Sequence, residues 1–447
     1  MTTDMTAPRS NQEAIADRLA KQRVIWNTWV DSGVAATCTA ARTVKPDTPS
    51  HRRPRIRSVD AVSTLSTSFR QTAPPHLPDF AGRRDRLRAR LTELAEPVDA
   101  LVVSDLVNVR YLTGFTGSNA AVLISATDPA ADRVSTDGRY LTQVAEQVPD
   151  LDAVIARDGL GELAAVAAGA GSRRIGFESD AVTVAAHRRL LDALGSDGAD
   201  SAGPHLVGVS GVVAGLREVK DDSEIALIAR ACAVADEALA AIIADGVIRA
   251  GATERQVARA LEGEMFRLGA DGIAFETIVA AGAHSAIPHH RPTDTALADG
   301  DLVKIDFGAI SGGYHSDMTR TFALSRASAW QREIYALVAQ AQAAGRAALR
   351  AGAELREVDD AARRIIADAG HDEHYVHGLG HGVGLEIHEA PGIGKLSTGT
   401  LPGGAAVTVE PGVYLPGRGG VRIEDTLVVT DGEPRLLTTT DKAFTVL

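Results

Sequence analysis

The sequence predicts two domains in series, an α/β domain over residues 78–212 and an α+β domain over 213–447. Three observations carry this. Between Ala81 and Leu194 short apolar strands alternate with helical stretches. After Gly211–Arg217, read as the end of a linker, long capped helices give way to strand pairs that carry polar residues. The length, 447 residues at 45% hydrophobic and 23% charged, is enough for two sizeable cores.

In the first domain a charged amphipathic helix is expected at Ala81–Leu94 and a strand at Ala100–Ser104. Further strands fall at Ala120–Ser125, Arg133–Ser135, Ala153–Ala156 and Arg174–Phe177, with helices at Leu160–Ala168 and Val184–Leu194. The region has no phosphate loop and no dinucleotide fingerprint. Tyr111, Phe115 and Ser118 read either as residues of a substrate entrance or as core and turn residues. In the second domain Asp222 or Ser223 caps a helix running to Ala244. Thr253-Glu-Arg-Gln256 is a capping box that opens a helix to Leu268. A strand at Phe275–Ala280, helices at Ala329–Arg350 and Leu355–Ala369, and strands at Ala406–Tyr414 and Val421–Thr430 complete it.

Residues 1–77 differ in kind. The first 75 carry a net charge of +5, against −12 for the whole chain, which leaves −17 for the rest. Apart from one helix candidate at Asn11–Asp31, they read as a basic disordered arm or the product of a start placed too early. They hold no apolar run of signal-peptide length. No run approaches the ~18 residues of a membrane span. The acidic balance argues against a nucleic-acid partner. Two cysteines, Cys38 and Cys232, exclude a disulfide framework and a cysteine-rich zinc site, and fit a cytoplasmic protein.

The chemistry concentrates in two acidic strand pairs. Val303–Ala309 and Tyr314–Ala323 flank Ser311-Gly312-Gly313, a hairpin signal. A fold about Ser311 and Gly312 places Asp306 opposite Asp317, with Cβ atoms about 5 Å apart. Like charges so close call for a bound cation or a raised pKa. A second fold centred on Gly417 places Glu410 opposite Glu424. Carboxylates flanked by valine and isoleucine do not belong on a buried strand unless something pairs them. Between the two pairs runs His377-Gly-Leu-Gly-His381-Gly-Val-Gly-Leu-Glu-Ile-His388, where glycines permit close backbone approach to a ligand. Pro288-His289-His290 precedes the first pair. Oxygen ligands with an imidazole suit Mn²⁺, Co²⁺, Fe²⁺ or Zn²⁺. Neither His-Glu-x-x-His nor Gly-x-Ser-x-Gly is present, so metal-activated water chemistry, most naturally hydrolysis, is the reading.

Five motifs, Ile305-Asp306-Phe-Gly, Ser316-Asp317-Met-Thr-Arg-Thr, His377-Gly-Leu-Gly-His381, Val409-Glu410-Pro-Gly and Arg422-Ile-Glu424-Asp, give a resemblance. Residues 78–447 resemble the aminopeptidase P and Xaa-Pro dipeptidase (prolidase) branch of the pita-bread metallopeptidases. The resemblance implies a creatinase/prolidase-type N-terminal domain and a pita-bread catalytic domain. It implies two divalent ions, Mn²⁺ first among the candidates, held by Asp306, Asp317, His381, Glu410 and Glu424. It implies hydrolysis of the bond before proline by a hydroxide between the metals, with Glu410 shuttling a proton. His289, His377 and His388 match the accessory histidines. His289 and His388 are assigned as donors to the substrate carbonyl, Arg422 orients the carboxylates, and Arg418 is a candidate for a substrate carboxylate. Xaa-Pro dipeptides or longer peptides are the expected substrates, and a homodimer the expected assembly. The alternatives are a methionine aminopeptidase or other aminopeptidase without proline specificity, a creatinase-like amidinohydrolase, and an inactive binding protein on this fold.

The charge reversal of residues 1–77 makes a first prediction. A chain starting at Pro78 is expected to keep full metal-dependent activity. Turnover lost on that truncation contradicts it.

Overall fold

The computed structural model of the protein describes residues 78–195 and 203–447. The helix expected at Asn11–Asp31 lies outside them. In the first part, β1 (Ala100–Val103), β2 (Ala120–Ser125), β3 (Arg133–Thr136), β4 (Asp152–Ile155), β5 (Arg174–Glu178) and β6 (His205–Val209) form one sheet in the order β4-β3-β2-β1-β5-β6. β1 pairs antiparallel to β2 and parallel to β5. All four of its residues are buried, as an apolar run covered on both faces must be. Leu101 and Val103 pack with Leu87 and Leu91 of the helix Phe80–Thr92. Ala100 and Val102 pack on the other side with Leu163, from Gly159–Gly169, and Leu190, from Val184–Ala193.

Several elements here differ from the expected set, a helix at Leu141–Gln147 among them. Asp105 caps a helix Leu106–Thr113 by accepting from the Val107 N–H, and Gly114 ends it in the left-handed conformation at φ 78°. β6 is a sixth strand, and Val212–Arg217 is a short helix where a linker end was expected. Tyr111 and Phe115 are each 1% exposed and belong to the core, while Ser118 bonds the Tyr140 hydroxyl at 2.6 Å. They are core and turn residues, not the walls of a substrate entrance.

The second part repeats one plan, a helix pair followed by a bent hairpin. Asp221, one residue earlier than expected, caps the helix Asp222–Ala244 in a capping box with Glu224. Thr253 caps Glu254–Arg267 as read. β7 (Gly272–Ile273), β8 (Ile278–Ala281), β9 (Leu302–Phe307), β10 (Ala309–Ser311), β11 (Tyr314–His315) and β12 (Met318–Ala323) follow. Leu239, Leu261 and Met265 pack against Val303, Ile305 and Phe307 of β9. The helices Ala329–Ala348 and Leu355–Asp368 open the second half. They precede β13 (Gly380–Gly382), β14 (Glu389–Ile393), β15 (Ala406–Val409), β16 (Gly412–Leu415), β17 (Gly419–Arg422), β18 (Asp425–Val428) and β19 (Arg435–Leu436). Val338, Val358 and Ile366 pack against Val407, Val409, Val421 and Leu427. The two halves meet along β12. The Glu424 N–H donates to Thr319 O at 3.1 Å, and Thr426 Oγ1 donates to Asp317 O at 2.8 Å. No helix among the described residues is long and apolar enough to cross a membrane.

One expected register is wrong and the other right. Ser311 faces Tyr314 and Asp306 faces Thr319, so Asp306 is not opposite Asp317. The turn residues are Gly312 and Gly313, both at positive φ, 58° and 86°. Two such residues make the primed turn that suits a hairpin's twist, so the turn moves one residue on and the register shifts by two. In the second hairpin Val409 faces Asp425 and Gly412 faces Arg422, the register of a fold centred on Gly417.

Candidate metal centre

Neither hairpin is one continuous ladder. Pairing runs to Phe307 with Met318, stops, and resumes at Ile310 with His315. At the break a Cβ on Gly308 would lie 1.8 Å from Ser316 O, so only glycine fits. The second hairpin stops after Val409 with Asp425 and resumes at Gly412 with Arg422. Pro411, which has no N–H to donate, sits in that gap. Asp317, Glu410 and Glu424 all lie in the two breaks. At each break the backbone leaves the ladder, so the side chains there are not held to the direction the pleat would give them.

They converge with Asp306, from the end of β9, and His381, from β13, on a cavity of about 270 Å³. His289, His388 and Arg422 line it too. His381 Nε2 lies 3.4 Å from Glu410 Oε1 and 3.6 Å from Asp317 Oδ2. One ligand atom each of Asp317, His381 and Glu424 lie within 4.8 Å of one another. The two rings His381 and His388 meet edge to face at 4.5 Å.

The electrostatics of this cluster are those of a cation site. Burial, then Glu424, Asp306 and Glu410, push the Asp317 carboxyl well above its ordinary range. Burial, then Glu410 and Asp306, do the same to Glu424. Burial, opposed by Arg422, takes Glu410 up to about 8. Burial takes the His381 imidazole down to about 4, which keeps it neutral and free to ligate. Asp306 Oδ1 is buried and has no hydrogen-bond partner among the described residues, while Arg422 holds Oδ2. An orphaned carboxylate oxygen, clustered carboxyls that resist ionisation and a neutral imidazole are the donor set a divalent metal satisfies.

The raised value of Glu410 makes a pH prediction. Its folded pKa lies above the unfolded one. Its contribution to stability is therefore present below the ordinary carboxyl value and lost as pH rises through about 8. A metal removes that loss and must displace the proton below it. The rise in Tm on adding Mn²⁺ to metal-free protein is therefore expected to grow from pH 6.5 to 8.5. A rise independent of pH contradicts the shift.

Several partners had no local sequence signal. Thr319 Oγ1 donates to Glu424 Oε2 at 2.6 Å and accepts from Arg422 Nε at 3.0 Å. Arg422 Nη1 donates to the Tyr414 hydroxyl at 2.8 Å, and that hydroxyl also meets His377 Nε2 at 2.8 Å. His377 thus reaches the cluster through Tyr414, with its own Nδ1 4.0 Å from Glu410 Oε2. Burial takes the His377 ring down to about 3. Lys304, fully buried, donates from Nζ to Ile287 O at 2.6 Å and Pro288 O at 3.1 Å, just before His289. Arg418 stacks on Trp330 at 4.3 Å and is not among the residues lining the cavity, which removes it as a partner for a substrate carboxylate there.

A second cluster, Glu254, His284 and His290, has metal-like spacing. Its carboxylate is already filled. Oε1 meets Ala281 N and His284 Nδ1, each at 2.9 Å, and Oε2 meets His290 Nε2 at 2.9 Å, Thr293 N at 3.0 Å and Thr293 Oγ1 at 2.7 Å. Five contacts leave it no free lone pair to offer a metal, so it acts as a brace for the segment that carries His289.

Residues 226–431 match metallopeptidase family M24, and residues 83–219 match the creatinase/prolidase N-terminal domain. An uncharacterized peptidase of Bacillus subtilis, YqhT, is 38% identical over 351 residues, 78% of this chain and 96% of that one. An Xaa-Pro dipeptidase of Pyrococcus furiosus is 43% identical over 234 residues, 52% of this chain and 67% of that one. Among solved structures, the Xaa-Pro dipeptidase from Bacillus anthracis aligns at TM-score 0.77 and 37% identity, over 83% of this chain and 100% of that one. The X-Pro aminopeptidase from Thermotoga maritima aligns at TM-score 0.73 and 32% identity, over 81% and 99%. The chain belongs to metallopeptidase family M24, with a creatinase/prolidase N-terminal domain joined to a pita-bread domain. Within that family it falls in the aminopeptidase P/prolidase branch.

Proposed function

We propose that this protein is a dinuclear metallopeptidase that cleaves the bond between an N-terminal residue and proline. The observation that carries the reading is the convergence of Asp306, Asp317, His381, Glu410 and Glu424 on one cavity, beside two histidines that are not needed as ligands. We also propose a domain boundary at 212/213, at the start of the helix Val212–Arg217.

The roles follow from position. Asp306, Asp317, His381, Glu410 and Glu424 would hold two divalent ions, Mn²⁺ first among the candidates. The bound metals would supply Lewis acidity and a water acidified to near neutral pH. Glu410, which lines the cavity, would pass a proton to the leaving imino nitrogen. His289 and His388 line the same cavity and would donate to the carbonyl oxygen as charge develops on it. Burial lowers the pKa of His289, so it would act as a neutral donor. Arg422 fixes Asp306 and, through Thr319, the Glu424 carboxylate. His377 supports that arrangement through Tyr414.

The dipeptidase and the aminopeptidase among the structural relatives leave two substrate classes, Xaa-Pro dipeptides and longer Xaa-Pro peptides. The test is hydrolysis of Xaa-Pro and Xaa-Pro-Xaa, each with and without added Mn²⁺. Metal-dependent cleavage before proline in at least one of them supports the reading. Equal cleavage of matched peptides lacking proline would point to a broader aminopeptidase. No cleavage of any peptide would point to a binding protein on this fold.

A further inference from the structure

The residue after His388 is tied down from an unexpected direction. Glu389 opens β14, and its carboxylate is buried between two cations of the segment that joins the two parts of the chain. Arg217, the last residue of the short helix Val212–Arg217, donates from Nη2 to Glu389 Oε1 and to Glu386 Oε2, the latter at 2.7 Å. Lys220 Nζ donates to Glu389 Oε2 at 3.0 Å. The Glu386 N–H also donates to Glu389 Oε1 at 2.9 Å. The carboxylate lies so close over Gly384 that a Cβ there would meet Oε2 at 2.5 Å. The connection continues into the first sheet. Arg217 Nη1 donates to Asn108 Oδ1 at 2.9 Å, and Asn108 Nδ2 donates to Glu178 Oε1, on β5, at 2.7 Å.

A buried ion pair is a poor stabiliser, because removing the charges from water offsets most of their attraction. What a multi-contact carboxylate does supply is a fixed position and direction for the backbone that carries it. Here that backbone is the loop between β13 and β14, closed by the pairing of Gly382 with Glu389. Two residues of that loop, Ile387 and His388, line the cavity. His388 lies just outside β14 in the described structure, so its backbone is held by the anchored Glu389 beside it, while its ring rests on His381.

We infer that Glu389, clamped by Arg217 and Lys220, is a positioning residue that holds His388 toward the substrate, with Asn108 of the N-terminal domain bracing Arg217. The inference rests on the role given to His388 above. The experiment is a double-mutant cycle on kcat, with KM, metal content and thermal unfolding measured for each protein. Glu389→Gln keeps the shape and removes the charge. It is expected to lower kcat by about 10- to 100-fold, the scale found for outer partners of site residues. KM and metal content are expected to stay near wild type. In the His388→Ala background the same change is expected to cost less than about twofold, because the group it acts through is gone. Lys220→Met is carried through the same cycle, with the same expected pattern, so that a Glu389→Gln protein that does not fold still leaves a measurement. An equal loss in both backgrounds, or loss of metal, would overturn the inference, as would failure of both variants to fold. Full turnover in His388→Ala alone would remove the role of His388 and this inference with it. A slow His388→Ala with an undiminished Glu389→Gln factor would remove only the inference.

Discussion

Asp317→Asn is expected to abolish hydrolysis and to lower metal occupancy while the protein stays folded. Asp317 lies in the break between β11 and β12, and its carboxyl is one of four that repel one another in the same small cavity. The asparagine keeps the side chain's shape but exchanges one oxygen for an NH2 donor and cannot serve as an anionic ligand. In the metal-free state the exchange removes a source of repulsion. The metal-free variant is therefore expected to melt no lower than metal-free wild type, and to gain little on adding Mn²⁺. Wild-type turnover, or full metal content, would show that Asp317 is not a ligand. A collapse of the metal-free Tm would show that its role is structural.

The second large effect separates the histidines. His381 lies within 3.4–3.6 Å of two of the clustered carboxylates, whereas His388 meets the His381 ring and lines the cavity without a carboxylate contact among those described. His381→Ala is therefore expected to lose metal, and excess Mn²⁺ to restore part of the activity. His388→Ala and His289→Ala are expected to keep their metal and to lose about 10²–10³-fold in kcat, the range for loss of one donor to a developing oxyanion. Added metal should not rescue them. Metal analysis by mass spectrometry beside steady-state kinetics on an Xaa-Pro peptide reads the difference. A His388→Ala protein that loses metal as His381→Ala does would contradict this division of labour.

Much of this site was legible because its residues break a local rule. Asp306 and Glu424 are charged residues in runs of valine, isoleucine and phenylalanine, and a single sequence shows that conflict directly. The fold centred on Gly417 was legible because the segment Pro416–Gly420 leaves little choice of register. The first hairpin failed on one residue. Ser311-Gly312 and Gly312-Gly313 are both acceptable turn pairs by composition, and only the positive φ of both glycines decides between them. The strand breaks were half legible. Pro411 announces one, but the contact of Gly308 with Ser316 O is a packing fact with no sequence counterpart. The helix Leu106–Thr113 carried its own signals, Asp105 before it and Gly114 after it, and weighing them would have found it. Thr319, Tyr414, Lys304 and Glu254 were out of reach for another reason. Their partners lie 105, 8 and 37, 16 and 17, and up to 39 residues away, and no local pattern records such pairings.

Two metals held by Asp306, Asp317, His381, Glu410 and Glu424 form the dinuclear centre proposed for the cavity between the bent hairpins. Its most direct measurement is a titration of metal-stripped protein with Mn²⁺, following bound metal per chain and the rate of Xaa-Pro hydrolysis in the same samples. The account predicts negligible turnover without metal and a rate that reaches its plateau only as a second ion binds each chain. It also predicts that Asp317→Asn falls short of both. Full turnover in the stripped protein, or a plateau reached with one ion per chain, would contradict it.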